Sequence, residues 1–516
     1  MVIVSLVIAL YYNVIIAQCI MYLAMSMRLE LPWDSCGNWW NTPECTEPSH
    51  MNITKGTGDL KTNYTAAGEL AIVGTKTEEF YYNYVLHQSP IGISDLGLPQ
   101  WRLALCLLAA WTIVALGLLK GIKSLGKISY FTALFPYFML SVLLIRSLML
   151  PGAIDGVIYY LSPDWTRLKD ILVWQEAATQ IFYNLSCATG GLIAMASFNR
   201  FKNNCYRDAL IVPILNAFTS VFAGLVVFTI LGFMAYTKNT TIDEVVSSGP
   251  GLVFIVYPEA LAKLPIAPMW SILFFIMMLA LGFGSELSLV ETVLTAFQDD
   301  LHETINTKTK KIVYRVVVCI CCFCLGLPMV CRGGIYVLQL VDFFIAHMAL
   351  LIVCLCELMV LAWIYGFPTF RFCDDAEMML GRRPPILFQY MWRFVTPVVL
   401  FALIIASVAL YEAPEMSVGG KDVPFPSWAL VAGWILCIFP ATFIPAWMIY
   451  YHCYLGGFDL LREHTQPMVN WGPRMPEDRT GRYAQQTQAI LAMQQIHSAS
   501  QAHMQVEAAQ SAPPQC

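Results

Sequence analysis

The chain has 516 residues, of which 58% are hydrophobic and 13% charged, against about 25% charged in soluble domains. With a mean hydropathy of +0.60 it cannot cover a soluble surface, and 30 basic against 35 acidic residues argue against a nucleic-acid-binding face. The 17 cysteines follow no paired CxxC framework, which argues against a zinc protein, so the composition leaves a polytopic, all-α membrane protein.

A run of about 20 apolar residues crosses the hydrocarbon core as a helix. Ten such spans are predicted, over 2–26, 101–119, 128–150, 174–198, 209–236, 269–297, 312–330, 335–365, 390–411 and 427–451. The first starts without a basic n-region or a small-residue cleavage site, so the chain is expected to begin at the edge of a membrane helix. Within that span Tyr11-Tyr12-Asn13 reads either as a cavity gate or as an interfacial anchor. The loop 27–100 holds Cys36, Cys45 and the sequons at Asn52 and Asn63, features of an extracellular segment, so a Cys36–Cys45 disulfide is expected. A further sequon at Asn239 lies on another loop read as external, whereas the one at Asn184 falls inside a span and is read as chance.

Positive charge alternates between loops. Lys120, Lys123 and Lys127 lie on the second, Arg200, Lys202 and Arg207 on the fourth, Lys308, Lys310 and Lys311 on the sixth, and Arg371, Arg382 and Arg383 on the eighth. The positive-inside rule puts these loops in the cytoplasm, and an even span count puts both termini there. Residues 1–451 are then the membrane domain, and 452–516 a polar, Gln/Ala-rich cytoplasmic tail, largely disordered. Cys319, Cys321, Cys322 and Cys324 would face different directions on a helix, which reads as packing or lipid contact ahead of a metal site.

Polar groups concentrate in two spans. The fourth carries Gln180, Asn184, Ser186 and Thr189 with the pair Gly190-Gly191, a pattern of either a close helix–helix interface or an interrupted helix whose free backbone groups coordinate ions. The sixth carries Gly282, Gly284, Ser285, Ser288, Glu286 and Glu291, and such carboxyls must be paired, protonated or solvated by a cavity. Asn216 and Ser220 share one face of the fifth span. Oxygen-rich, thiol-free groups of this kind suit a hard cation such as Na⁺.

These segments resemble the neurotransmitter:sodium symporter family over essentially the whole chain. The likeness is carried by YYNVIIA, LPWDSC…WNTPEC, KGIKSLGKISYFTALFPY and QIFYNLSCATGGLIAMASFNRFKNNCYRDA. GPGLVFIVYPEAL and WGPRMPEDRTGRYA are most similar to the glycine transporter branch and its amino-acid-transporting relatives. The resemblance implies a twelve-helix fold with two inverted five-helix repeats, of which these ten spans would be the third to the twelfth.

It also implies roles. Ile8, Tyr12, Tyr183, Leu185, Ser186, Thr189, Ser285 and Glu286 match substrate-site positions, with Tyr12 closing over the substrate carboxylate and Tyr183 as the aromatic lid. Asn184, Asn216, Leu281 (through its carbonyl) and Ser285 match Na⁺ ligands. Gln180, Asn184, Asn216 and Ser220 match chloride ligands, and Asp342 an external gate acid. An uncharged Ser220 leaves room for an anion, since chloride-independent relatives carry a fixed carboxylate there. Three positions depart from the pattern: Asn184 stands where Ser is usual, Thr189 where glycine transporters have Trp, and Glu286 where they have Gln.

The implied function is Na⁺- and Cl⁻-coupled symport of an amino acid, glycine-like or a larger neutral one with cationic substrates left open, across the plasma membrane. The implied partners are the substrate, the two ions and lipid, with homo- or hetero-oligomers both open and no nucleic acid. The second reading is a truncated, transport-inactive subunit that associates with full-length relatives. No metal-binding His cluster or nucleophile elbow supports an enzyme.

Overall fold

The structure, a computed structural model of the chain, describes residues 1–45, 62–65, 70–119, 122–245, 249–301, 305, 307–365, 371–418, 421–450, 453, 471–473, 475–479 and 483. The chain divides into two compact units, which are taken separately. The larger comprises Met1–Ser197, Val212–Cys354 and Phe401–Ala441, and the smaller Phe198–Ile211, Leu355–Leu400 and Thr442–Cys516. The sequon at Asn52 and most of the tail 452–516 lie outside the described residues.

Nine helices among the described residues are long and apolar enough to cross a membrane. With the shorter helices between them, the order begins α1 (Val2–Ser26), α2 (Trp101–Leu118), α3 (Ile122–Leu148) and α4 (Ala153–Leu161). The fourth expected span is two helices, α5 (Ile171–Asn184) and α6 (Gly191–Ala196), separated by a turn. Then follow α7 (Cys205–Lys238), α8 (Tyr257–Ala262), α9 (Ala267–Asp300) and α10 (Lys308–Gly326). The last four are α11 (Gly334–Tyr365), α12 (Arg371–Leu380), α13 (Ile386–Ala409) and α14 (Ser427–Tyr450). π-type turns interrupt α11 at Phe343–Ala349 and α13 at Met391–Val395, and a further one, Val360–Tyr365, ends α11. The only paired strands among the described residues are two antiparallel hairpins, β1 (Thr62–Tyr64) with β2 (Leu70–Ile72) and β3 (Glu415–Val418) with β4 (Lys421–Pro424).

In the larger unit α1 is apolar on all sides and becomes the central helix, packed against α2 and α9. Glycines permit the closest approach. A methyl group on Gly282 of α9 would meet Ile16 of α1 at 2.9 Å, and one on Gly284 would meet Thr132 of α3 at 3.2 Å. The helix α7 is tied to α3 by two hydroxyl pairs, Tyr137–Thr219 and Ser147–Thr229, the latter at 2.8 Å. A hydroxyl pair of this kind satisfies polar groups that lipid cannot.

The loop after α1 is folded. Cys36 and Cys45 form the expected disulfide, with their Cα atoms 5.8 Å apart. The fully buried Glu79 carboxylate accepts from the Asn41 side chain at 3.0 Å, the Thr42 N–H at 2.9 Å, the Gly74 N–H at 3.3 Å and the Thr42 hydroxyl. Four donors on one carboxylate offset its desolvation without a cation. The Arg102 guanidinium, at the start of α2, lies over the rings of Tyr84, Trp39 and Trp101 at 4.8–5.3 Å. Asn63 sits on β1 and donates to Glu44 at 3.1 Å, while Asn239 is exposed just past α7. Between α8 and α9, burial pulls the Lys263 ammonium below its ordinary range, an effect that Glu259 opposes at 3.6 Å.

In the smaller unit, Tyr483 of the tail is 5% exposed and donates to Asp375 of α12 at 3.0 Å, while Asp478 pairs with Lys202 at 3.5 Å.

Candidate ion and substrate site at the helix break

The chain leaves helical geometry at Asn184. Ser186, Ala188 and Gly190 take φ values of +52°, +60° and +79°, a left-handed region that costs on the order of 1–3 kcal/mol for each non-glycine residue. Gly190 tolerates it, and Gly191 then starts α6. Both glycines lie hard against α9. A methyl group on Gly190 would sit 3.2 Å from Thr292, and one on Gly191 would sit 3.3 Å from the Ser288 hydroxyl.

Interrupting a helix frees carbonyls. Here hydroxyl groups take them up. Thr189 Oγ1 donates to the Ser186 carbonyl at 2.8 Å, and the Ser5 hydroxyl of α1 donates to the Thr189 carbonyl. Of the two readings open to this segment, the interrupted helix is the one observed. The nearby Cys187 is half-buried and not part of a disulfide.

The side chains around the break come from α1, α9 and α11. Tyr11 and Tyr183 place their hydroxyls 3.2 Å apart, and Tyr11 also faces Asp342. Tyr12, one residue on, faces Ser285. The gate that the resemblance assigns to Tyr12, Tyr183 and Asp342 is thus divided: Tyr11 stands between the lid tyrosine and the acid. Two adjacent tyrosines project about 100° apart on a helix, so sequence spacing could not say which one reached Tyr183.

Among the expected ion ligands, Leu281 and Ser285 are exposed on one face of α9, one turn apart. Gln180 donates to Asn184 at 3.2 Å on α5, and Ser220 donates to the Asn216 carbonyl at 3.0 Å on α7. Each pair is hydrogen-bonded within its own helix, and no hydrogen bond joins the two. Leu185 and Ser186 are half-buried, Thr189 is buried, and Ile8 lies in the apolar core.

Glu286 is fully buried, on a different side of α9 from the exposed Ser285. Among the described residues neither of its oxygens has a hydrogen-bond partner, and Tyr12, Cys319 and Cys322 lie near it. Asn13 of α1 is equally buried and unpartnered. Glu291, by contrast, accepts from Arg315 of α10 at 3.1 Å, and Arg315 also donates to the Leu118 carbonyl. The four clustered cysteines of α10 divide as expected, Cys319 and Cys322 buried, Cys321 and Cys324 exposed.

Comparison with known proteins decides the family. The sequence profile of the sodium:neurotransmitter symporter family matches residues 1–455. The chain belongs to that family. It is 40% identical to sodium- and chloride-dependent glycine transporter 2 of Xenopus laevis over 94% of its own length and 63% of that protein. It is 41% identical to glycine transporter 1 of Xenopus laevis, covering 94% of this chain and 77% of that one. The human sodium- and chloride-dependent neutral and basic amino acid transporter B(0+) is 40% identical, with 94% of this chain and 78% of that protein covered. The chain thus spans under two thirds of one of these relatives and about three quarters of the other two. All three are named as transporters, and the reading as a transport-inactive subunit gains no support from them. The symporter family accounts for a helix broken between long apolar spans, with neutral oxygens gathered at the break.

Proposed function

We propose that this chain carries out sodium- and chloride-coupled symport of an amino acid across the plasma membrane, with both termini in the cytoplasm. One observation carries the reading: the break at 185–190, where carbonyls freed from helical bonding meet the Ser5 hydroxyl of α1 and the Thr189 hydroxyl, and where Gly190 and Gly191 pack against Thr292 and Ser288 of α9. Neutral oxygens suit Na⁺, which coordinates carbonyl and hydroxyl groups without needing a carboxylate. Asn184, Asn216, Leu281 and Ser285 would hold Na⁺, and Gln180, Asn184, Asn216 and Ser220 chloride. An amide side chain at 184 offers its carbonyl to the cation and its NH₂ to the anion.

Transport would proceed by alternating access, the substrate lying between the break and α1, with Tyr12 toward its carboxylate and Tyr183 above it. Across roughly 70 mV each Na⁺ supplies about 1.6 kcal/mol, and a tenfold concentration gradient adds about 1.4 kcal/mol. Two ions would support a substrate gradient on the order of ten-thousandfold. Thr189 in place of a Trp would leave room for a substrate larger than glycine. The named relatives include both glycine transporters and a transporter of neutral and basic amino acids, which supports a neutral substrate and leaves cationic ones open. Competition tests this in cells expressing the chain. Leucine and glycine should both inhibit labelled uptake, and inhibition by glycine alone would contradict the enlarged site.

A further inference from the structure

The substrate and ion roles above leave the Ser5 side chain unused, although it makes a hydrogen bond from α1 to the backbone of the break. Ser5 is fully buried, and its hydroxyl donates to the Thr189 carbonyl. Thr189, itself 4% exposed, passes its own hydroxyl to the Ser186 carbonyl at 2.8 Å, so the two hydroxyls form a short chain from α1 into the turn. On the far side of the turn Gly190 packs against Thr292 and Gly191 against Ser288 of α9. The segment between has two non-glycine residues in left-handed geometry, Ser186 and Ala188, which persists only where surrounding contacts impose it.

We infer that Ser5 is a positioning residue for transport: its hydroxyl holds the broken segment in the conformation described here, and must let go of Thr189 for the break to rearrange. The inference rests on the symport reading for its meaning in transport, but the clamp itself can be read without transport. A serine hydroxyl suits this task. A neutral hydrogen bond is strong enough to bias a conformational equilibrium and weak enough to be exchanged within a cycle, and its net contribution corresponds to a two- to tenfold bias. A buried carbonyl left without its donor must find water or an ion, so loss of the hydroxyl should loosen the turn rather than merely shorten a side chain.

The test uses Cys187, which lies in the turn itself, as the reporter. Alkylation at Cys187 is followed by peptide-resolved mass spectrometry in the full chain, which separates it from the other cysteines. Ser5→Ala should raise the Cys187 labelling rate two- to tenfold and shift the half-saturating substrate concentration by a similar factor, with surface delivery unchanged. Ser5→Thr keeps the hydroxyl and should restore both values. If Ser5→Ala fails to reach the surface, Ser5→Cys, with a near-isosteric and weaker donor, takes its place and should give an intermediate rate at Cys187. Wild-type labelling in Ser5→Ala, or in Ser5→Cys where it is used, overturns the clamp, as does equal acceleration in Ser5→Ala and Ser5→Thr. If the wild-type chain takes up no amino acid while the labelling difference persists, the clamp stands and the symport reading fails.

Discussion

The turn between α5 and α6 and the α9–α10 interface both hold polar groups inside membrane-spanning helices, and they satisfy them differently. At the turn, two neutral hydroxyls cap two carbonyls. At the interface, Glu291 and Arg315 form an ion pair at 3.1 Å with side-chain exposures of 1% and 10%. A neutral hydrogen bond contributes about 0.5–1.5 kcal/mol net, whereas removing one partner of a buried ion pair costs about 3–5 kcal/mol. The difference separates a part that can be rearranged in each cycle from a part that must stay assembled. It also isolates Glu286, which shares the helix and the burial of Glu291 but has no hydrogen-bond partner among the described residues.

The largest expected effect is at the ion pair. Glu291→Gln should destabilise the protein by about 3–5 kcal/mol, because it strands a buried guanidinium. Thermal unfolding in detergent would register this, and replacing Arg315 by Met in the same chain should recover part of the loss. Additive losses in the double variant would contradict the pairing.

The external disulfide should come next. Cys36→Ala removes a cross-link from a folded loop and should cost about 2–4 kcal/mol. The expected outcome is reduced surface delivery, together with labelling of Cys45 by an impermeant thiol reagent. Full delivery would mean that the Glu79 network holds the loop by itself.

The smallest effect sharpens the contrast most. Glu286→Gln keeps the volume and removes an isolated acid, so stability should change by less than about 1 kcal/mol or rise. A loss as large as that of Glu291→Gln would reveal a partner for Glu286 and remove the distinction between the two carboxyls.

Much of this was legible in the sequence, for identifiable reasons. Long apolar runs fixed the spans, so that α1 and α14 end within a residue or two of their expected limits. The Gly190-Gly191 pair and its polar neighbours narrowed this segment to a close interface or a break, and the break is what the fold shows. Cys36 and Cys45 marked the disulfide. What stayed hidden depends on rotation about a helix axis and on contacts between distant segments. Nothing in the spacing of Tyr11 and Tyr12 decides which one meets Tyr183. Ser285 and Glu286 are adjacent, yet one is exposed and the other buried. Arg315 lies inside the span predicted over 312–330, and only packing reveals its bond to Glu291. Ser5 is an ordinary small residue in an apolar run until its hydroxyl is seen at the Thr189 carbonyl.

The central claim, ion-coupled amino-acid symport by this chain, is tested most directly in proteoliposomes with an imposed inward Na⁺ gradient and labelled leucine or glycine. The account predicts accumulation above the external concentration that disappears when Na⁺ is replaced by an organic cation, and again when chloride is replaced by gluconate. Accumulation that persists without Na⁺, or no accumulation by correctly inserted protein, would contradict it.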